Sequence, residues 1–399
     1  MVKLSLCAIV KDEEACIGRC LDSVKEVVDE IVILDTGSRD RTVEIARDYG
    51  AQIEHYQWND DFAAARNAAL QYVTGDWVLV LDADEILHPE IVPQLQEAIA
   101  SDRHLAINLV RQEIGAKQSP YSLVSRLFRP LPGIQFSRPY HALIDDSVTE
   151  FMAQQPDRWD IGYLSSVAIV HDGYRPEAIA ARDKLSRIRK AMERYLSEHP
   201  DDAYTCSKLG ALYVQNGEIE AGLKLLRKGL KQEKHLDRLL RYELHYHAGI
   251  ALSKQQKVGK AKSHYEAAIA LNILPALKIG AYNNLGNLYM QTGDLTGAIA
   301  AYERVWQIDP NLPIAHFNLG LALKEKGKLN EAIAAYHHAI ELDPTYAEAY
   351  QNIAVILLKN GKVFESLDHF RKAIALYERR DSPAGSELRS TLKEMGFKI

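Results

Sequence analysis

In the first half of the chain, apolar residues come in short unbroken runs, and three of these stop at acidic residues. Leu4 to Val10 is apolar but for Ser5 and is followed by Lys11-Asp12-Glu13-Glu14. Glu30-Ile31-Val32-Ile33-Leu34 ends in Asp35, and Trp77 to Leu81 ends in Asp82-Ala83-Asp84-Glu85. Runs this short, rich in β-branched residues and bounded by turn signals, read as buried strands. Between them the apolar period changes. Ile17, Leu21, Val24 and Val28 recur at helical spacing and predict a helix from Glu14 to about Val28. Further helices run to Tyr49 and from Phe62 to Val73, the second with Asp61 as its cap, and Ala51 to Tyr56 gives a short third strand. Strands alternating with helices predict an α/β domain. In open α/β sheets ligands bind beyond the carboxyl ends of the strands. Asp12, Asp35, Asp82 and Asp84 would therefore lie along one edge.

The second half has a different pattern. Residues 176–202 form an amphipathic linker helix with Pro176 near its start, stopped by His199-Pro200. From Ala203 the chain repeats itself. Leu285-Gly286, Leu319-Gly320 and Ile353-Ala354 keep one step, as do Tyr302, Tyr336 and Phe370, and also Gly293, Gly327 and Gly361. The step is the 34-residue tetratricopeptide (TPR) period of helix–turn–helix units. Leu209-Gly210 and Ala248-Gly249 anchor two less regular copies. The expectation is about five repeats over 203–399, closed by a helix from Ser386 to Met395. The small residues let paired helices approach closely, and the Tyr positions belong to the core. Asn283, Asn284, Asn287, Asn318 and Asn352 are placed on the groove side, where they would meet an extended peptide.

Composition narrows this picture. A formal charge of −6 over 399 residues, with no long basic tract, argues against nucleic acid as partner. No apolar run approaches the ~20 residues of a membrane helix. The N-terminal run lacks a small-residue cleavage site, so a cytoplasmic location is expected. Four cysteines, Cys7, Cys16, Cys20 and Cys206, lack metal-ligand spacing and read as small buried hydrophobes.

The chemistry rests on the carboxylates. Asp82 and Asp84, one residue apart at a strand end, suit a hard divalent cation that fills its remaining positions with water and substrate phosphates. Neither Gly-x-Gly-x-x-Gly nor a P-loop is present. Arg66, one turn into its helix, is positioned for bidentate contact with a diphosphate. Asp35 is needed for neither the turn at Gly37 nor the following helix cap, which leaves it for a ligand.

Four ordered segments carry a resemblance: Leu6 to Glu14, Asp35 to Thr42, Asp61 to Asn67 and Gly75 to Glu85. They resemble the family-2 glycosyltransferases of the GT-A fold, with a match over about residues 1–175. The resemblance implies a Rossmann-like mixed sheet followed by an all-α TPR solenoid. It implies transfer of a sugar, with inversion at the anomeric carbon, from a nucleotide-sugar donor, UDP-linked by the family's common choice, with Mg²⁺ or Mn²⁺. It implies donor contacts by Asp12, Glu13, Asp35, Arg66, Asp82 and Asp84, and metal contacts by Asp82, Asp84 and His171 of His171-Asp172-Gly173-Tyr174. The segment Phe136 to Ala142 departs from the family: the expected Gly is Arg138 or Pro139, and the expected Glu, the obvious base, is Ala142. Asp145, Asp146 and Glu85 are the remaining catalytic candidates. The repeats would present an acceptor, a protein or peptide. The rival reading is an adaptor whose first domain binds a nucleotide sugar without turnover.

Overall fold

The structure, a computed structural model, describes residues 2–116, 119–172 and 180–398. Gly173, Tyr174 and Pro176 lie outside the described residues. The chain divides into two compact units, Met1–Leu236 and Asp237–Ile399. The boundaries expected at 175 and 203 both fall within the first.

The first unit alternates strands and helices: β1 (Leu4–Val10), α1 (Ile17–Val24), β2 (Glu30–Asp35), α2 (Thr42–Asp48), β3 (Gln52–His55), α3 (Phe62–Leu70), β4 (Trp77–Val80) and β5 (Glu85–Leu87). It continues with α4 (Val92–Ala100), β6 (His104–Glu113), β7 (Tyr121–Phe128), α5 (Asp145–Gln154) and β8 (Asp160–His171). Three helices complete it, α6 (Ala180–Glu198), α7 (Ala203–Gln215) and α8 (Ile219–Leu230). One eight-stranded mixed sheet runs in the order β3-β2-β1-β4-β7-β6-β8-β5. The strands β3, β2, β1 and β4 are parallel, and β7 pairs antiparallel with both β4 and β6.

Strand side chains alternate between two faces. Leu6, Ala8, Val10, Leu79 and Leu81 pack on one face with Ile17, Leu21 and Val24 of α1 and Leu95 and Ile99 of α4. Cys7, Leu34, Val78 and Val80 pack on the other with Ala63, Ala65 and Ala69 of α3 and Val148 of α5. Helix α1 is shorter than its apolar period predicts, because the chain turns after Val24. Asp61 caps α3 by accepting the Ala64 N–H at 2.9 Å.

One irregularity in the sheet matters for the site. Ile107 pairs with Leu127 but Asn108 pairs with Ser125, so Arg126 is an extra residue in β7. Such a bulge re-aims a side chain.

The second unit is helical: α9 (Arg238–Lys254), α10 (Val258–Ala270), α11 (Ile279–Thr292), α12 (Leu295–Ile308), α13 (Pro313–Glu325), α14 (Leu329–Leu342), α15 (Ala347–Lys359), α16 (Val363–Arg379) and α17 (Pro383–Glu394). The hairpins share one packing device. A Cβ on Gly249, Gly286 or Gly320 would come within 2.5–2.6 Å of the ring of Tyr265, Tyr302 or Tyr336. Glycine lets each ring lie flat on the opposite helix. In the next hairpin Ala354 and Phe370 fill these roles. Asn283 and Asn318 do not face a groove. Both are buried, with Asn318 donating to Asn283 at 3.4 Å. Asn287 accepts the Tyr302 hydroxyl at 2.7 Å. Among the described residues no helix is long and apolar enough to cross a membrane.

Candidate functional site

Two loops follow the carboxyl ends of β1 and β2, and acidic side chains tie them together. Asp12 has a left-handed backbone, φ 55°, which Asp tolerates better than most residues. Its carboxylate accepts the Arg39 N–H at 2.7 Å, and its own N–H donates to Ser38 Oγ at 3.0 Å. Glu14 accepts the Arg41 N–H at 3.0 Å. The Glu13 N–H donates to Thr42 Oγ1 at 2.7 Å, and its carboxylate accepts from Cys16 Sγ at 3.1 Å.

Asp35 is buried and has a task of its own. It accepts the backbone N–H groups of Gly37 and Ser38 at 3.2 and 3.0 Å and lies 3.3 Å from His55 Nδ1. Burial alone would raise its pKa, but these donors hold the carboxyl below its usual value. Asp35 is therefore not the spare residue that the sequence led us to expect: it builds the turn.

Across the middle of the sheet edge runs a strip of alternating charge. His171 Nε2 lies 3.2 Å from Asp84, and His171 Nδ1 lies 2.6 Å from Glu113. Arg111 bridges Glu113 and Glu85 at 2.7 and 2.8 Å. Arg126, aimed by its bulge, bridges Glu85 and Asp82, the latter at 2.8 Å. Arg66 reaches the other Asp82 oxygen at 2.8 Å. The strip is built by neighbouring strands, with His171 in register with both Glu85 on β5 and Glu113 on β6. Four carboxylates (Asp82, Asp84, Glu85, Glu113) face four cations (Arg66, Arg111, Arg126, His171).

The electrostatics follow from this order. Burial works against ionised Asp82, yet Arg126 and Arg66 hold it well below the carboxylate range. Glu113 is likewise drawn down to about 2 against its burial, by His171 and Arg111. Hydrogen bonds to Asp84 and Glu113 raise His171 to about 10, so the ring is an imidazolium. Arg66 is 8% exposed, lies 5.3 Å from the Phe136 ring centroid, and keeps a buried Nη1 with no hydrogen-bond partner among the described residues.

These contacts decide how far the residues fit a divalent cation. Among the described residues no group of three His, Cys, Asp or Glu side chains is gathered as a metal site. Asp82 spends one oxygen on each of two guanidinium groups, so the three-ligand set Asp82, Asp84 and His171 is corrected. Asp84 and His171 do fit, with the cation taking the place of the His171 Nε2 proton. Metal-bound histidines commonly give their second N–H to a carboxylate, and Glu113 is that carboxylate here. Glu85 is corrected as well. Its buried oxygens hold Arg111 and Arg126 and accept the Asp82 N–H at 2.9 Å, so both are already occupied.

On the remaining side, Asp145 and Asp146 open α5 and are exposed. Asp145 accepts from Ser125 Oγ at 2.9 Å. Asp146 is held by Ser137 and Arg138. Sequence reasoning missed Arg111, Glu113 and Arg126. Arg111 and Glu113, two charged residues on one face at the carboxyl end of β6, were a visible signal for the first two. The aim of Arg126 depends on a bulge that no local pattern marks.

Residues 5–157 match the family model for glycosyl transferase family 2. TPR models match residues 286–327, 322–361 and 347–380. A TPR repeat-containing protein of Synechococcus elongatus is 45% identical over 295 residues, covering 74% of this chain and 73% of that protein. The glycosyltransferase SunS of Bacillus subtilis is 26% identical over 230 residues, 57% of this chain and 53% of that protein. An uncharacterized glycosyltransferase of Rickettsia typhi is 37% identical over 136 residues, 33% of this chain and 44% of that protein. The chain thus spans about half the length of these two glycosyltransferases. Among solved structures, the TPR protein YrrB overlays 47% of this chain and 93% of its own at 22% identity, with a TM-score of 0.39.

Proposed function

Because the chain belongs to the family-2 glycosyltransferases that carry tetratricopeptide repeats, we propose that it transfers a sugar from a UDP-sugar to an acceptor at the edge formed by Asp82, Asp84 and Arg66. The observation that carries this reading is Arg66 Nη1, a buried donor beside Asp82 with no partner among the described residues. A buried unsatisfied donor costs ~1–3 kcal/mol, a cost that an incoming diphosphate oxygen would remove.

The charged strip supports a metal requirement. Its four carboxylates and four cations cancel, so a diphosphate entering it finds little net positive charge. Mg²⁺ or Mn²⁺, held by Asp84 and His171, would supply that charge to the leaving diphosphate. Asp82 keeps Arg66 and Arg126 in place, and Glu85 acts behind it as a positioning residue. Asp12, Glu13 and Asp35 shape the two loops on the donor side. Asp145 and Asp146, exposed at the start of α5, are the candidates for the base of inversion. The repeats would take a protein or peptide. One observation favours the adaptor reading instead: Ala142 stands where the family's base is expected.

The test is release of UDP from a panel of UDP-sugars with Mn²⁺, comparing wild type with Asp84→Ala. Metal-dependent release from one donor, lost in the variant, is the expected result. Donor binding by calorimetry without turnover would favour the adaptor, and no binding by the wild type would remove the donor site altogether.

A further inference from the structure

Arg138 stands in the segment where the family is expected to have a flexible glycine, and its backbone keeps the glycine conformation, φ 74°. A left-handed arginine is strained, so something must hold it. Its side chain is 9% exposed and ends between two carboxylates. One is Asp146 at the start of α5; the other is Asp202, at 2.8 Å, the N-cap of α7. The guanidinium also lies over the Tyr204 ring at 4.9 Å. Beside it, Tyr140 packs against Ile188 and Met192 of α6 and Leu209 and Leu212 of α7. The Phe62 N–H, at the start of α3, donates to Pro139 O at 2.9 Å. The turn 138–140 is therefore held from two sides, by the helix that carries Arg66 and by the first repeat hairpin.

We infer that Arg138 is a positioning residue that latches the acceptor-side segment 137–146 to α7, so that the hairpin α7–α8 works as part of the transferase unit. The acceptor-side role of that segment rests on the transferase reading above; the latch itself does not. A buried guanidinium shared by two carboxylates gives strong, directional contacts. Glycine at this position would adopt the same backbone without strain but without the latch.

Hydrogen exchange on the full chain tests the latch, comparing wild type with Arg138→Gly and Asp202→Asn. Asn at 202 can still cap α7 and removes only the charge. Both variants should speed exchange across 137–146 by about tenfold while β1, β4 and α3 keep wild-type protection. Hydrolysis of UDP-glucose and UDP-N-acetylglucosamine is measured alongside: for whichever donor the wild type turns over, KM should stay unchanged while kcat shifts. Unchanged exchange at 137–146 in Asp202→Asn would overturn the latch. So would an equal loosening of every element in Arg138→Gly, the mark of a merely structural role. If the wild type hydrolyses neither sugar, the transferase reading is weakened, while the exchange result still decides the latch.

Discussion

At neutral pH the His171 ring lies between Glu113 at 2.6 Å and Asp84 at 3.2 Å and carries both of its protons. Folding raises this histidine from 6.5 to about 10, so its contribution to stability is complete below pH 6.5 and fades as pH climbs through about 10. Folding lowers Glu113 from 4.5 to about 2, so its share is complete above pH 4.5 and fades as pH falls toward 2. The pair is thus at full strength between 4.5 and 6.5. In Glu113→Gln, stability should fall most in that window, and the imidazole should titrate closer to its ordinary range. Asp84 stays beside the ring, so the fall in its pKa is partial, and NMR of the His171 ring checks it: a ring that titrates no lower in the variant than in the wild type would sink the account. Asp61→Ala should cost about 1 kcal/mol in a denaturant melt, through loss of the α3 cap. What sequence could say about single residues was limited by partners. Asp82 and Asp84 follow the end of a strand and Arg66 lies one turn into a helix, where strand and helix signals place them. Asp35 and Glu85 were misread because their roles depend on which N–H or guanidinium lies beside them. No residue type carries that information.

Among the elements, the repeat hairpins give the sharpest expectations. Gly320→Leu should destabilise its hairpin by ~1–3 kcal/mol, because even the Cβ would come 2.6 Å from the Tyr336 ring, which is fully buried. The two neighbouring tyrosines should then part company under hydroxyl removal. The Tyr336 hydroxyl is buried with no partner among the described residues, so Tyr336→Phe should be neutral or mildly stabilising. The Tyr302 hydroxyl donates to Asn287, so Tyr302→Phe should cost about 1 kcal/mol. Thermal melts of the pair check this, and equal shifts would count against the assigned partners. These hairpins were legible from sequence because each repeat states the same rule again. The bulge at Arg126 was not, since a strand with one extra residue reads like any other strand.

For the whole molecule, the period change near residue 200 announced two kinds of architecture, but it could not say where one folding unit ends. Helices α7 and α8 repeat like the array, yet they belong with the sheet, because Tyr140 and Arg138 reach into them. Calorimetry should therefore resolve two transitions, with Gly320→Leu lowering only that of Asp237–Ile399. A single transition moved as a whole would mean the two units melt as one. The glycine–tyrosine device has one more consequence. Each glycine meets a tyrosine within its own hairpin, sixteen positions on, as 286 meets 302 and 320 meets 336. Excising residues 313–346, one period of 34, would break no such pair and would join α12 to α15 across an equivalent seam. The gene can gain or lose whole hairpins while every survivor keeps its register, so array length is free to drift between relatives where spacing within a hairpin is not.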